Sequence, residues 1–179
     1  MLATALAQFT RITWLLILGT LSFSLSSLPL QAKEPTEREP LKGLAGIEVI
    51  VEPLNIEVER LGLETLKLQN DIRHRLQQAG VHVLTERERL ATTTAAMLVV
   101  RVDAVHDRIG RYFYCIDLLL TQRVRLRGQA SPDVSAVTWM RPGGIALVAD
   151  DNVRHIQNQV FRKVDEFVRD YLAENPKGR

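Results

Sequence analysis

Between Met97 and Arg127 apolar side chains recur at the even-numbered positions of two successive stretches, the period-2 pattern of a long β-hairpin with one face in a core. Leu98, Val100, Val102 and Ala104 mark the first arm, and Tyr114, Ile116, Leu118, Leu120, Val124 and Leu126 the second. Residues directly opposite in an antiparallel pair point to the same face, so the register must pair even with even. The loop Arg108-Ile109-Gly110 does this if Asp107 faces Arg111, and it puts Gly110 where left-handed backbone is wanted. This register sets Ala104 against Tyr114, Val102 against Ile116 and Val100 against Leu118. On the other face it sets Arg101 against Asp117 and Asp103 against Cys115.

The flanking segments supply the remaining elements. Gly46 to Val51 reads as a strand stopped by Pro53. A helix opening at Glu64 or Thr65 puts Leu68, Ile72, Leu76 and Ala79 on one stripe and closes at Gly80. Val81 to Leu84 is a short second strand, so this region forms a βαβ unit that fits a parallel pairing. Glu86 to Thr94 is a loop or a helical turn. Val134 to Met140 is a strand interrupted by Arg141-Pro142-Gly143-Gly144 and resumed over Ile145 to Ala149, through either a bulge or a tight turn. Asp151 to Leu172 is a helix with Val153, Ile156, Val160, Val164, Phe167 and Tyr171 on its apolar stripe. The order β-α-β-β-β-β-α predicts an α+β two-layer sandwich: a mostly antiparallel sheet with both helices on the even face of the hairpin. The odd face is half apolar, through Val99, Val105, Phe113 and Leu119. The leader covers part of such a face, or the face is a contact surface.

The amino terminus differs in kind. Arg11 precedes an uncharged stretch, Ile12 to Leu28, and Leu30-Gln31-Ala32 ends in a small residue, the layout of a secretory signal cleaved after Ala32. The competing reading keeps residues 12–28 as a membrane anchor, and membrane contact follows only in that case. The organisation expected is a signal over 1–32, a flexible leader over 33–45 with no core to join, one domain over 46–176 and a tail over 177–179. Export to a bacterial periplasm is the expected location. All acidic residues follow position 32, which leaves the mature part close to neutral and argues against a nucleic-acid binder driven by bulk charge.

No catalytic motif, metal-ligand spacing or cofactor loop stands out, so the expected class is a non-catalytic binding or scaffolding domain without a cofactor. Arg123, Arg125 and Arg127 form a row on the odd face, spaced about 7 Å apart, that suits successive anionic groups of a lipid, a glycan or an acidic partner protein. The plainer role of such a row is to keep an exposed strand from pairing edge to edge. Arg101 and Phe113 share that face and join the candidate contact residues. His74, His82, His106 and His155 are scattered one per element. Cys115 has no second cysteine; it reads as a packed thiol, with a dimer bridge leaving a homodimer open. A site around Asp103, Cys115 and Asp117 is the alternative, an extracytoplasmic hydrolase, although the register gives Asp107 and Asp117 arginine partners.

The phrases Gly46 to Leu54 (Gly-Ile-x-Val-x-Val-Glu-Pro-Leu), Gly62-Leu63 and Asp170 to Pro176 (Asp-Tyr-Leu-Ala-x-Asn-Pro) resemble those of small exported bacterial proteins of uncharacterised role. The layout of signal, β-α-β, hairpin and terminal helix is similar to that of small Gram-negative envelope domains, such as the amino-terminal domain of TolB and the lipopolysaccharide-assembly lipoproteins. The resemblance implies an envelope location and no particular functional residue. It lacks the lipid-bearing cysteine of the lipoproteins.

Overall fold

A computed structural model describes residues 37–60, 62–126, 133–149 and 153–176. The expected signal over 1–32, the start of the leader, Arg127 and the tail lie outside the described residues. The hairpin is the spine of the sheet: β2 (Ala95–His106) and β3 (Arg111–Val124) pair antiparallel from Ala96–Gln122 to His106–Tyr112, in the even-with-even register. Asp107 closes the loop, its Oδ1 accepting from the Ile109 and Arg111 amides and its Oδ2 from the Arg111 side chain at 2.7 Å. Gly110 takes φ +79°, a conformation open to glycine at little strain.

β1 (Gly46–Val51) lies parallel to β2, while β4 (Val134–Arg141) and β5 (Ala146–Ala149) both pair antiparallel with β3. The sheet order is therefore β1-β2-β3-β4, with β5 beside the other half of β3, in a mostly antiparallel α+β fold. The expected strand Val81 to Leu84 shrinks to one bridge, Ile47 to Val83, so the parallel partner of β1 is β2. Gly80 ends one helix and Thr85 caps the next, and of the residues between them only Val83 pairs with a strand.

Among the described residues, four α-helices join the sheet: α1 (Ile56–Arg60), α2 (Thr65–Gln78), α3 (Glu86–Ala91) and α4 (Val153–Glu174). The short α1 was not foreseen. Asn55 holds it, accepting from the Val58 amide at 3.0 Å and donating to the Ala104 carbonyl of β2 at 2.8 Å. α3 starts on a capping box in which Thr85 and Glu88 satisfy each other's amides.

α2 and α4 cover the even face. Leu68, Ile72 and Leu76 of α2 and Ile156, Val160, Val164, Phe167 and Tyr171 of α4 are buried with Leu98, Val100, Ile116, Leu118 and Leu120 of the sheet. Trp139 of β4 meets Phe167 edge-on, ring centroids 5.1 Å apart. Arg75 of α2 grips Asp165 of α4 through two bonds of 2.6 and 2.7 Å. Leu126, expected on the core face, is 47% exposed, because β3 ends at Val124.

The leader also needs correction. Residues Glu39–Leu41 form a 3₁₀ turn, and Leu41 and Leu44 belong to the core, so this segment does have a core to join. Two contacts distant in sequence hold it. Asn175, just past α4, donates to the Leu41 carbonyl at 2.7 Å and accepts from the Gly43 amide at 2.8 Å. Asp170 of α4, buried, accepts from Arg141 at 2.7 Å and pairs with Arg38 at 3.0 Å. Among the described residues, no helix is long and apolar enough to cross a membrane.

Candidate binding face

With α2 and α4 on the even side, the odd side of the hairpin faces outward. Only its β1 end is covered. α3 lies there, its Arg89 paired with Glu48 of β1, and Glu48 and the nearby Val99 are both buried. The leader, expected as a cover for this face, packs instead against α4 and β4. The rest stays open and carries Val105 at 66%, Ile145 at 81%, Val137 at 51% and Met140 at 50% exposure.

The edge strand explains why the open face is irregular. Between the pairs Leu118–Arg141 and Tyr114–Ala146, the residues Cys115 to Asp117 of β3 stand opposite Pro142 to Ile145, one residue more. β4 and β5 are thus one interrupted edge strand rather than a strand and a turned-back partner. Gly143 lies at the interruption. A Cβ there would come within 2.3 Å of the Ile116 carbonyl oxygen and 2.7 Å of its nitrogen, so only glycine lets the two backbones approach this closely.

That approach decides the fate of the expected Arg101–Asp117 pair. The two residues face each other in register, but the ion pair forms elsewhere. The Gly143 amide has lost its ladder partner at the interruption and donates to Asp117 Oδ1 at 2.6 Å. Arg101 turns to Glu52, just past β1, with bonds of 2.7 and 3.0 Å from Nε and Nη2. The Arg101 guanidinium holds the Glu52 carboxyl below its ordinary range, chiefly by hydrogen bonding.

Two of the three row arginines already have a partner on the protein. Arg123 is exposed and donates to the Leu90 carbonyl at 3.0 Å, and Arg125 is exposed and bonds Asp133 at 3.1 Å. Arg127 lies outside the described residues. Phe113 stands at the far end of the face, opposite Val105 and Leu147 in register, with the Arg111 guanidinium 5.9 Å from its ring centroid. Arg101 lies between the two ends. The candidate residues thus mark two separate regions: a basic end at Arg123 and Arg125, and an apolar end around Phe113. Sequence reasoning missed Ile145 and Leu147 at the apolar end, whose signal was an uncharged run from Gly143 to Ala149.

The structure does bring Asp103, Cys115 and Asp117 together. Cys115 donates weakly to the Gly143 carbonyl at 3.5 Å, and its sulfur is 3.9 Å from Asp117 Oδ1. Burial, then the charges of Asp117 and Asp103, push its thiol above the usual range. A thiol held protonated is a poor nucleophile. The histidines engage their own neighbours: His155 bonds the Tyr114 hydroxyl at 3.0 Å, His82 the Ala45 carbonyl at 3.0 Å and His74 the Gln78 side chain at 2.9 Å, while His106 stacks on Tyr112. Among the described residues, no group of three or more His, Cys, Asp or Glu is arranged to hold a metal ion.

Two further hollows lie elsewhere among the described residues, the second bordering this face through Val137 and Met140. One, of about 270 Å³, lies between the start of α2 and α4 and is lined by Lys67, Arg154 and Gln157. The other, of about 500 Å³, lies along the β4 edge by Glu37 and Arg141. A scan against protein-family models finds no match, and neither does a search of the curated proteins.

Proposed function

We propose that this chain is a non-catalytic exported domain of the bacterial envelope that binds or scaffolds an anionic lipid, glycan or partner protein through the open face of its sheet. The observation that carries the reading is the asymmetry of the sheet: two helices bury one face, while the other keeps exposed apolar side chains with a basic end. A contiguous exposed apolar region of that kind marks an interaction surface more often than idle surface. The signal-like amino terminus and the envelope-protein layout support the location. The raised thiol of Cys115 supports binding over catalysis at the place where it meets the carboxylates of Asp117 and Asp103.

The test is flotation of the protein beginning at Lys33 with vesicles containing phosphatidylglycerol, compared with neutral phosphatidylcholine vesicles. Salt-sensitive flotation with the anionic vesicles, lost when Arg123, Arg125 and Arg127 are all changed to glutamine, supports the basic end as the anionic-ligand site. Flotation that the triple variant leaves unchanged removes the row from the reading.

A further inference from the structure

The apolar end of the face contains a small hollow of about 170 Å³, lined by Val105, Phe113, Ile145, Cys115 and Asp103. Its size decides what it can take. Drug-sized ligands fill pockets of about 300–1,000 Å³, so this one has room for a single long side chain. Its lining is almost wholly apolar, and its one charged residue is Asp103, which is exposed.

Asp103 is exposed and makes no side-chain hydrogen bond or ion pair among the described residues; Arg101, two residues before it on the same face, acts on it only through space. The cations of this region are bonded elsewhere. Arg101 gives Nε and Nη2 to Glu52. Arg111 pairs with Asp107 at 2.7 Å, and Lys163 of α4 donates to the Pro142 carbonyl at 3.2 Å. The other nearby carboxylate, Asp117, already accepts from Gly143. The hollow therefore combines an apolar lining with one uncommitted negative charge.

We infer that this hollow is a socket for a lysine or arginine side chain, presented between apolar residues by a partner protein. The charge complementarity selects that occupant. A long cationic side chain buries its aliphatic stem against Val105, Phe113 and Ile145 and brings its charge to Asp103. A purely apolar side chain of the same length would desolvate Asp103 without pairing it, and an acidic one would meet like charge. The inference stands apart from the arginine row, which lies at the other end of the face.

The test uses three blocked peptides that differ in one side chain: acetyl-Leu-Lys-Leu-amide, its norleucine counterpart and its glutamate counterpart. Each is titrated into the protein beginning at Lys33, with the backbone amide signals of Val105, Phe113 and Ile145 followed by NMR. The lysine peptide should shift those signals and bind about three- to fivefold more tightly than the norleucine peptide, the range of an exposed ion pair. That preference should shrink with added salt and vanish in Asp103→Asn, an exposed change that leaves the fold intact. Equal binding of lysine and norleucine peptides, preference for glutamate, a lysine preference that survives Asp103→Asn, or no shift at these residues would each overturn the socket.

Discussion

Gly143→Ala probes the joint between the edge strand and the hairpin. The added methyl would lie 2.3 Å from the Ile116 carbonyl oxygen and within 2.8 Å of the Ile116 carbonyl carbon, both backbone atoms of a central strand. β3 cannot yield there without breaking its ladder to β2, so the segment Pro142 to Ile145 must move outward. The 2.6 Å bond from the Gly143 amide to Asp117 is then lost. A hydrogen bond to a charged group contributes about 1.5–3 kcal/mol. Alanine also restricts the unfolded chain, which returns about 0.4–1 kcal/mol. The net expectation from these figures is a loss of about 1.5 kcal/mol, or about 5–8 °C in Tm for a domain between the small and mid-sized classes. Thermal denaturation measures it. Gly144→Ala is the control, since nothing stands within 4 Å of a Cβ there, and it should stay within about 0.5 kcal/mol of the parent. The reasoning fails if Gly143→Ala melts within about 2 °C of the parent.

Four other perturbations follow from the same geometry. Alkylation of Cys115 by iodoacetamide should be slow at neutral pH, and its midpoint should move to lower pH in Asp117→Asn, because a nearby carboxylate no longer opposes the thiolate. The folded thiol holds its proton more tightly than the unfolded one, so its contribution to stability is full below the ordinary thiol pKa of about 8.5 and fades as the pH rises through the folded value. Urea titrations of Cys115→Ser should show a shallower fall above that pH. Asp170→Ala leaves Arg141 and Arg38 without their shared buried carboxylate; it should lower stability by about 3 kcal/mol and speed proteolysis between Glu37 and Lys42, read by urea titration and by mass mapping of the cuts. Leu41→Ala should remove about 2–5 kcal/mol in a urea titration, where a truly unattached leader would lose nothing.

The hairpin was legible because two independent signals, the alternation of Leu98 to Leu126 and the glycine at 110, demanded one register. The long helix was legible because its stripe runs from Ile156 to Tyr171 without interruption. What escaped were contacts made at a distance. Prolines and charges around Leu41 suggest a solvated leader, and the atoms that anchor it, on Asp170 and Asn175, lie at the far end of the chain. Arg101 and Asp117 do face each other, but Glu52 and the Gly143 amide compete for them from neighbouring strands whose positions alternation does not encode. At the open face, the arginines and Phe113 were found from their side of the hairpin alone. Ile145 and Leu147 join Phe113 only because the interrupted edge strand resumes beside it.

The most direct test of the open face as the binding face is photo-cross-linking in the cell that makes this protein. A benzoylphenylalanine replaces Phe113 on the open face or, as a comparison, Leu66, which is 74% exposed on α2 in the helix layer. The account predicts discrete adducts in the envelope fraction from position 113, reduced by Asp103→Asn, and none from position 66. Adducts from position 66 with none from 113 would place the binding surface on the helices and contradict it.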